Sequence, residues 1–77
     1  MAEQELTFGQ KAVGLTFNPS GDPVVKSMKQ AAADFIDLCN DARTAATDPE
    51  VKRMYSVAIT EAQTAQMWGV KGATWRV

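Results

Sequence analysis

The sequence predicts an all-α fold: a two-helix antiparallel hairpin behind an extended N-terminal arm, built to work as a homo-oligomer. Three observations predict it. Apolar residues recur at Val25, Met28, Ala32, Phe35, Cys39, Ala42 and Ala46, in alternating steps of three and four, the spacing of a stripe that faces another helix. The pattern returns at Val51, Tyr55, Ala58, Ala62, Ala65 and Gly69. Each run opens on Asp-Pro, at Asp22-Pro23 and Asp48-Pro49. Asp caps the first free N–H groups, and Pro fits the first helical position, where its missing N–H costs nothing.

Taken in order, residues 1–7 read as a flexible start. Thr7 to Thr16 alternates loosely through Phe8, Lys11, Val13 and Leu15, with Gly9 and Gly14 among them. It reads as a short strand or as an arm that docks on a neighbour. Phe17-Asn18-Pro19-Ser20-Gly21 is a turn, because Pro fixes φ and Gly accepts a positive one. The first long helix is expected from Pro23 to about Ala46. Thr47-Asp48 turns the chain. The second helix starts at Pro49, with Glu50 near its positive end, and runs at least to Trp68. Gly69 and Gly72 weaken its end by about 1 kcal/mol each relative to Ala, yet it reaches Thr74 if packed. The division is therefore an arm and turn over 1–21 and a hairpin domain over 22–77.

The chain has 77 residues, one Cys, no His and a net charge of −1. Domains of this size usually need disulfides, a metal or oligomerisation. One Cys excludes an intrachain disulfide, and the lack of His argues against a usual zinc site; no cofactor is expected. Oligomerisation remains. Met54, Ile59, Met67, Trp68 and Val70 lie off the hairpin stripe of the second helix, and a helix apolar on several faces is normally buried on several faces. The charge balance is not that of a duplex nucleic-acid binder. The start of the chain is acidic and does not read as a signal peptide. No stretch approaches the length of a membrane span.

Hydrolytic chemistry has little to stand on. Asp34 and Asp37 lie three apart on a helix face that reads as solvated, Cys39 falls within the apolar stripe, and no phosphate-binding Gly loop is present. The cations are more suggestive. Lys26 and Lys29 share a face near the start of the first helix, with Phe17, Asn18 and Ser20 just ahead. A ring, ammonium groups and helix N–H groups together suit a nucleotide, the ring stacking a base and the cations holding phosphate. The ordinary alternative is a solvated lysine pair and a Phe that staples the helix start. Arg53, Thr60, Gln63 and Thr64 offer polar groups on the second helix. Arg53 and Thr60 are two turns apart on nearly one side and would converge around a symmetry axis; the alternative is ordinary surface polarity. Trp68 and Trp75 read as packing or interface anchors, and Arg76 as an exposed tail residue.

Thr16-Phe17-Asn18-Pro19-Ser20-Gly21, the run Val25 to Cys39, and above all Ile59-Thr60-Glu61-Ala62-Gln63-Thr64-Ala65-Gln66-Met67-Trp68-Gly69-Val70-Lys71-Gly72-Ala73 resemble the phage anti-CBASS and Thoeris anti-defence hairpin domain. The resemblance covers about residues 14 to 74. It implies a homohexamer of interlocked hairpins acting as a sponge in the cytoplasm of an infected bacterial host. Such a sponge sequesters cyclic di- or trinucleotide immune messengers, or cyclic ADP-ribose isomers, without cleaving them. By the same resemblance Lys29 contacts ligand at a subunit interface, Phe17 or Phe8 supplies the aromatic contact to base, and Arg53 and Thr60 line a threefold site. Gly14-Leu15-Thr16-Phe17-Asn18 stands where family members carry a charged stretch, so ligand choice is expected to differ. The competing expectation is a helical-hairpin interaction protein that binds a host protein.

Overall fold

The computed structural model describes residues 5–76. It contains α1 (Phe8–Ala12), α2 (Pro23–Ala45) and α3 (Pro49–Ala73), with no strand among the described residues. The two long helices are about 35 and 38 Å in length at 1.5 Å per residue. Both start as the sequence predicts. Asp22 caps α2 by accepting from the Val24 N–H at 2.8 Å, and Asp48 caps α3 by accepting from the Glu50 N–H at 2.9 Å. Ala46 ends α2 in an extended conformation, and α3 runs through both late glycines to Ala73. Gly69 has a packing reason: a Cβ there would lie 3.0 Å from Met28 Sδ. Near the turn, Arg43 donates to Ser56 Oγ and Lys52 donates to the Arg43 carbonyl, at 2.9 Å each.

The extended arm is corrected. Phe8–Ala12 forms a short helix, capped by Thr7, rather than a strand, and it docks on this chain's own α2. Thr7 accepts from the Gln10 N–H at 3.1 Å, and Gln10 Oε1 accepts from the Thr7 N–H at 2.9 Å. This reciprocal capping satisfies two free donors and starts a helix in a Gly-containing segment. The Gly9 N–H donates to Asp37 Oδ1 at 2.7 Å, and a Cβ on Gly9 would collide with the Ala33 carbonyl oxygen. Gly9 therefore sets how closely α1 approaches α2. Arg43 lies over the Phe8 ring at 5.7 Å, and Gln63 Nε2 donates to the Ala12 carbonyl at 3.2 Å. The flexible start expected over 1–7 falls mostly on residues 1–4, outside the described residues; Thr7 is an ordered cap.

The core follows the expected stripes in part: Val25 and Cys39 are buried, and Ala32, Tyr55, Ala58 and Ala62 pack against the buried cluster. Val13, Ala33, Ile36, Cys39 and Ile59 form the buried cluster, with Val25 buried farther along α2. Phe35, expected inside, is 50% exposed, whereas Ile59, assigned to a second face, is inside. Met28 and Phe35, members of the expected stripe, line an open groove instead. Met28, Ala31, Ala32 and Phe35 form one wall, and Ala62, Ala65 and Gly69 form the other. The Cα trace is only 12 Å deep along its shortest axis. That is thinner than two stacked helices, whose Cα traces span about 13–15 Å once the helix radius is added to an axis separation of about 8–10 Å.

Candidate functional site

The cavity that matters lies at the open end of the hairpin, beneath the segment between α1 and α2. It encloses about 390 Å³. Phe17, Asn18, Pro19 and Ser20 close it from the loop side, Val25 and Lys29 from α2, and Gln66, Met67, Val70 and Thr74 from α3. The loop's shape is local chemistry. Gly14 and Gly21 take positive φ of 62° and 67°, a region nearly free for Gly and costly for other residues. Asn18 Nδ2 donates to the Asp22 carbonyl at 3.1 Å, and Ser20 Oγ donates to Asn18 Oδ1 at 2.8 Å.

Lys29 is the dominant charge here. It is 6% exposed. Its ammonium donates to the Gly14 carbonyl at 3.0 Å and, at short range, to the Phe17 carbonyl. The Phe17 ring stands 5.5 Å from Nζ. Two of the three ammonium donors are thus engaged by neutral acceptors. Among the described residues the one ion pair is Arg53–Glu50, so no carboxylate neutralises Lys29. A buried ammonium without a counter-charge, on the wall of a mostly apolar cavity, attracts an anion. Phe17 is 71% exposed, and an exposed ring beside a cation suits a base that stacks while its phosphate meets the ammonium.

The structure brings Lys29, Phe17 and Asn18 into one cavity. Lys26 is exposed and does not line it. Arg53 and Thr60 are exposed on α3, away from the cavity. Arg53 pairs with Glu50 at 2.6 Å, and Thr60 Oγ1 donates to the Ser56 carbonyl at 3.3 Å. That pairing holds the Glu50 carboxyl below its ordinary range and the Arg53 guanidinium above its own. Gln63 is committed to α1 through the Ala12 carbonyl. The solvated lysine pair of the ordinary alternative is corrected at Lys29, which is buried.

The α3 wall was missing from the sequence candidates. Gln66, Val70 and Thr74 recur every four residues, which marks one face, but only the hairpin register places that face opposite Val25 and Lys29. Gln66 Oε1 is buried with no partner. On another face of the same helix, Lys71 lies 5.1 Å from the Trp68 ring and 6.0 Å from the Trp75 ring; both rings are more than 60% exposed. Among the described residues no group of three metal-ligating side chains exists, and no helix is long and apolar enough to cross a membrane.

Comparison with characterised proteins and with solved structures gives no significant match. A family model described as "Acb2/Tad1, hairpin domain" does match, over residues 10–74. That range takes in α2, α3, the loop and the Lys29 cavity, nearly the whole of the described fold. The chain is a member of the Acb2/Tad1 hairpin-domain family.

Proposed function

We propose that this chain is an anti-defence sponge that sequesters cyclic oligonucleotide messengers and releases them unaltered. The observation that carries the reading is Lys29: a buried, unneutralised ammonium on the wall of a cavity that also presents an exposed Phe ring. Phosphate would satisfy the charge, and charge-assisted hydrogen bonds are roughly twice as strong as neutral ones. A cavity of about 390 Å³ suits one nucleotide unit better than a whole cyclic dinucleotide. A second copy that covers the open face would supply room for the rest, which favours a homo-oligomer. Family membership supports the same reading. Arg53 and Thr60 would form a separate site if assembly brings copies of α3 together around an axis.

Isothermal titration with cyclic di- and trinucleotides and cyclic ADP-ribose isomers tests this, followed by heat release of the bound ligand. Submicromolar binding with intact ligand recovered supports sequestration. Cleaved ligand would mean an enzyme instead. A second reading rests on the open groove lined by Met28, Phe35, Ala65 and Gly69, which also suits a helix of a host protein. Absence of binding across the panel would favour it.

A further inference from the structure

The cation best placed to hold a phosphate is already in use. Lys29 spends two donors on the carbonyls of Gly14 and Phe17. Past Leu15, which packs on the core, the segment 16–21 has no other side-chain hydrogen bond from the body of the protein. Among the described residues its remaining bonds are internal or reach only Gly14 and Asp22 at its ends: the Phe17 N–H to the Gly14 carbonyl, Asn18 Nδ2 to the Asp22 carbonyl, Ser20 Oγ to Asn18, the Asp22 N–H to Ser20 Oγ, and the Gly21 N–H to the Asn18 carbonyl. Thr16, Phe17, Pro19, Ser20 and Gly21 are exposed. Gly14 and Gly21, both at positive φ, bracket the segment. This is a strap fixed at two flexible ends and tied in the middle by one ammonium.

We propose that the strap is a lid latched by Lys29, and that an anion enters by exchange, its phosphate oxygens taking the donors that the Gly14 and Phe17 carbonyls release. The inference rests on the sponge reading and adds a regulatory step to the same site. A carbonyl oxygen carries only a partial charge, whereas a phosphate oxygen carries a formal one, so the ammonium favours the newcomer. The exchange leaves no orphan donor on Lys29, and the freed Phe17 carbonyl belongs to an exposed residue where water reaches it. Phe17 moves with its carbonyl, so the stacking ring is repositioned by the same event. Closed-strap stability therefore opposes ligand binding, and whatever loosens the strap tightens capture.

Gly21→Ala separates this from the opposite arrangement, in which the strap as seen is the binding-competent form. No atom lies within 4 Å of a Cβ at Gly21, and its φ is +67°, so the substitution acts through backbone strain alone. An L-residue in that region is disfavoured enough to shift the closed state about fivefold or more. With cyclic di-AMP as probe, the variant is expected to bind about fivefold tighter than the wild type; weaker binding overturns the exchange. Amide hydrogen exchange gives the second measurement. The N–H groups of Phe17 and Gly21, bonded to the Gly14 and Asn18 carbonyls at 2.9 and 3.1 Å, are expected to exchange faster in the cyclic di-AMP complex. Slower exchange would mean that the strap closes on the ligand, against the proposal. Without ligand, Lys29→Met is expected to speed the same two amides while those of α3 stay protected; unchanged strap exchange removes the latch. If cyclic di-AMP does not bind the wild type, the titration panel supplies the probe. If nothing in the panel binds, the sponge reading and the exchange fall together, and the ligand-free rates still decide the latch.

Discussion

Lys29 joins the two roles that one side chain can fill at this site, holding the loop and presenting charge. Lys29→Met matches the side chain as far as Cε and removes the ammonium. It is expected to abolish cyclic-dinucleotide capture by titration calorimetry while the helical circular dichroism persists; capture at wild-type affinity would take Lys29 out of the site. Gly9 is the second residue with a single physical reason. Gly9→Ala forces a methyl group into the Ala33 carbonyl and toward Asp37 Oδ1. Overpacking of this kind costs about 1–3 kcal/mol, to be read from thermal or urea unfolding; unchanged stability would mean that α1 is not held where it lies. Lys29, Phe17 and Asn18 were legible in the sequence because cation, ring and turn stand close along the chain. Gln66 was not, because a glutamine in mid-helix carries no signal until the register of the hairpin is known.

At the scale of the elements, the helix starts were the most legible feature, since Asp-Pro acts locally and needs no tertiary partner. Asp48→Ala, which leaves the Glu50 N–H without its acceptor, is expected to cost about 1 kcal/mol in urea unfolding; no loss would mean that the cap is redundant. The position of the core was misread in part, at Met28 and Phe35 of α2, for a physical reason. α2 carries two apolar stripes at helical spacing. One runs through Val25, Ala33, Ile36 and Cys39 and is buried; the other runs through Met28, Ala31, Phe35 and Leu38 toward the open face. Spacing alone does not choose between them, and Lys29 within the buried stripe disguises it as polar. α1 was misread because the loose alternation through Phe8, Lys11, Val13 and Leu15 suggested a strand or arm, although Thr7-Phe8-Gly9-Gln10 has the capping-box pattern that starts it.

The Glu50–Arg53 pair belongs to the same scale, because it ties the first turn of α3. The guanidinium lowers the carboxyl pKa in the folded chain. Any stability it contributes is therefore present above the ordinary carboxylate range and lost as pH falls through the lowered value. Arg53→Gln is expected to melt slightly below wild type at neutral pH and to converge with it in acid. A gap that persists in acid would assign Arg53 another role. The effect is small because both side chains are more than half exposed and solvent screens them.

As a whole molecule, the chain leaves many of its large hydrophobic side chains outside. Few large hydrophobic side chains are buried, while Phe17, Phe35, Leu38, Met54, Met67, Trp68 and Trp75 are each at least half exposed. The open groove gives this surface a shape. Its α3 wall is built from Ala62, Ala65 and Gly69, residues small enough to let another helix approach closely. Ala65 is exposed, so a larger side chain there adds no strain to the isolated hairpin. Ala65→Arg places length and charge in the path of any helix seated in the groove. The wild type is expected to run as an oligomer by light scattering, and Ala65→Arg as a smaller species with unchanged helicity per residue. If each cavity holds part of a ligand shared between copies, cyclic-dinucleotide capture falls with the mass. A wild type that stays monomeric at high concentration would sink the assembly. A dissociated variant that still captures ligand at full affinity would place the whole site within one chain.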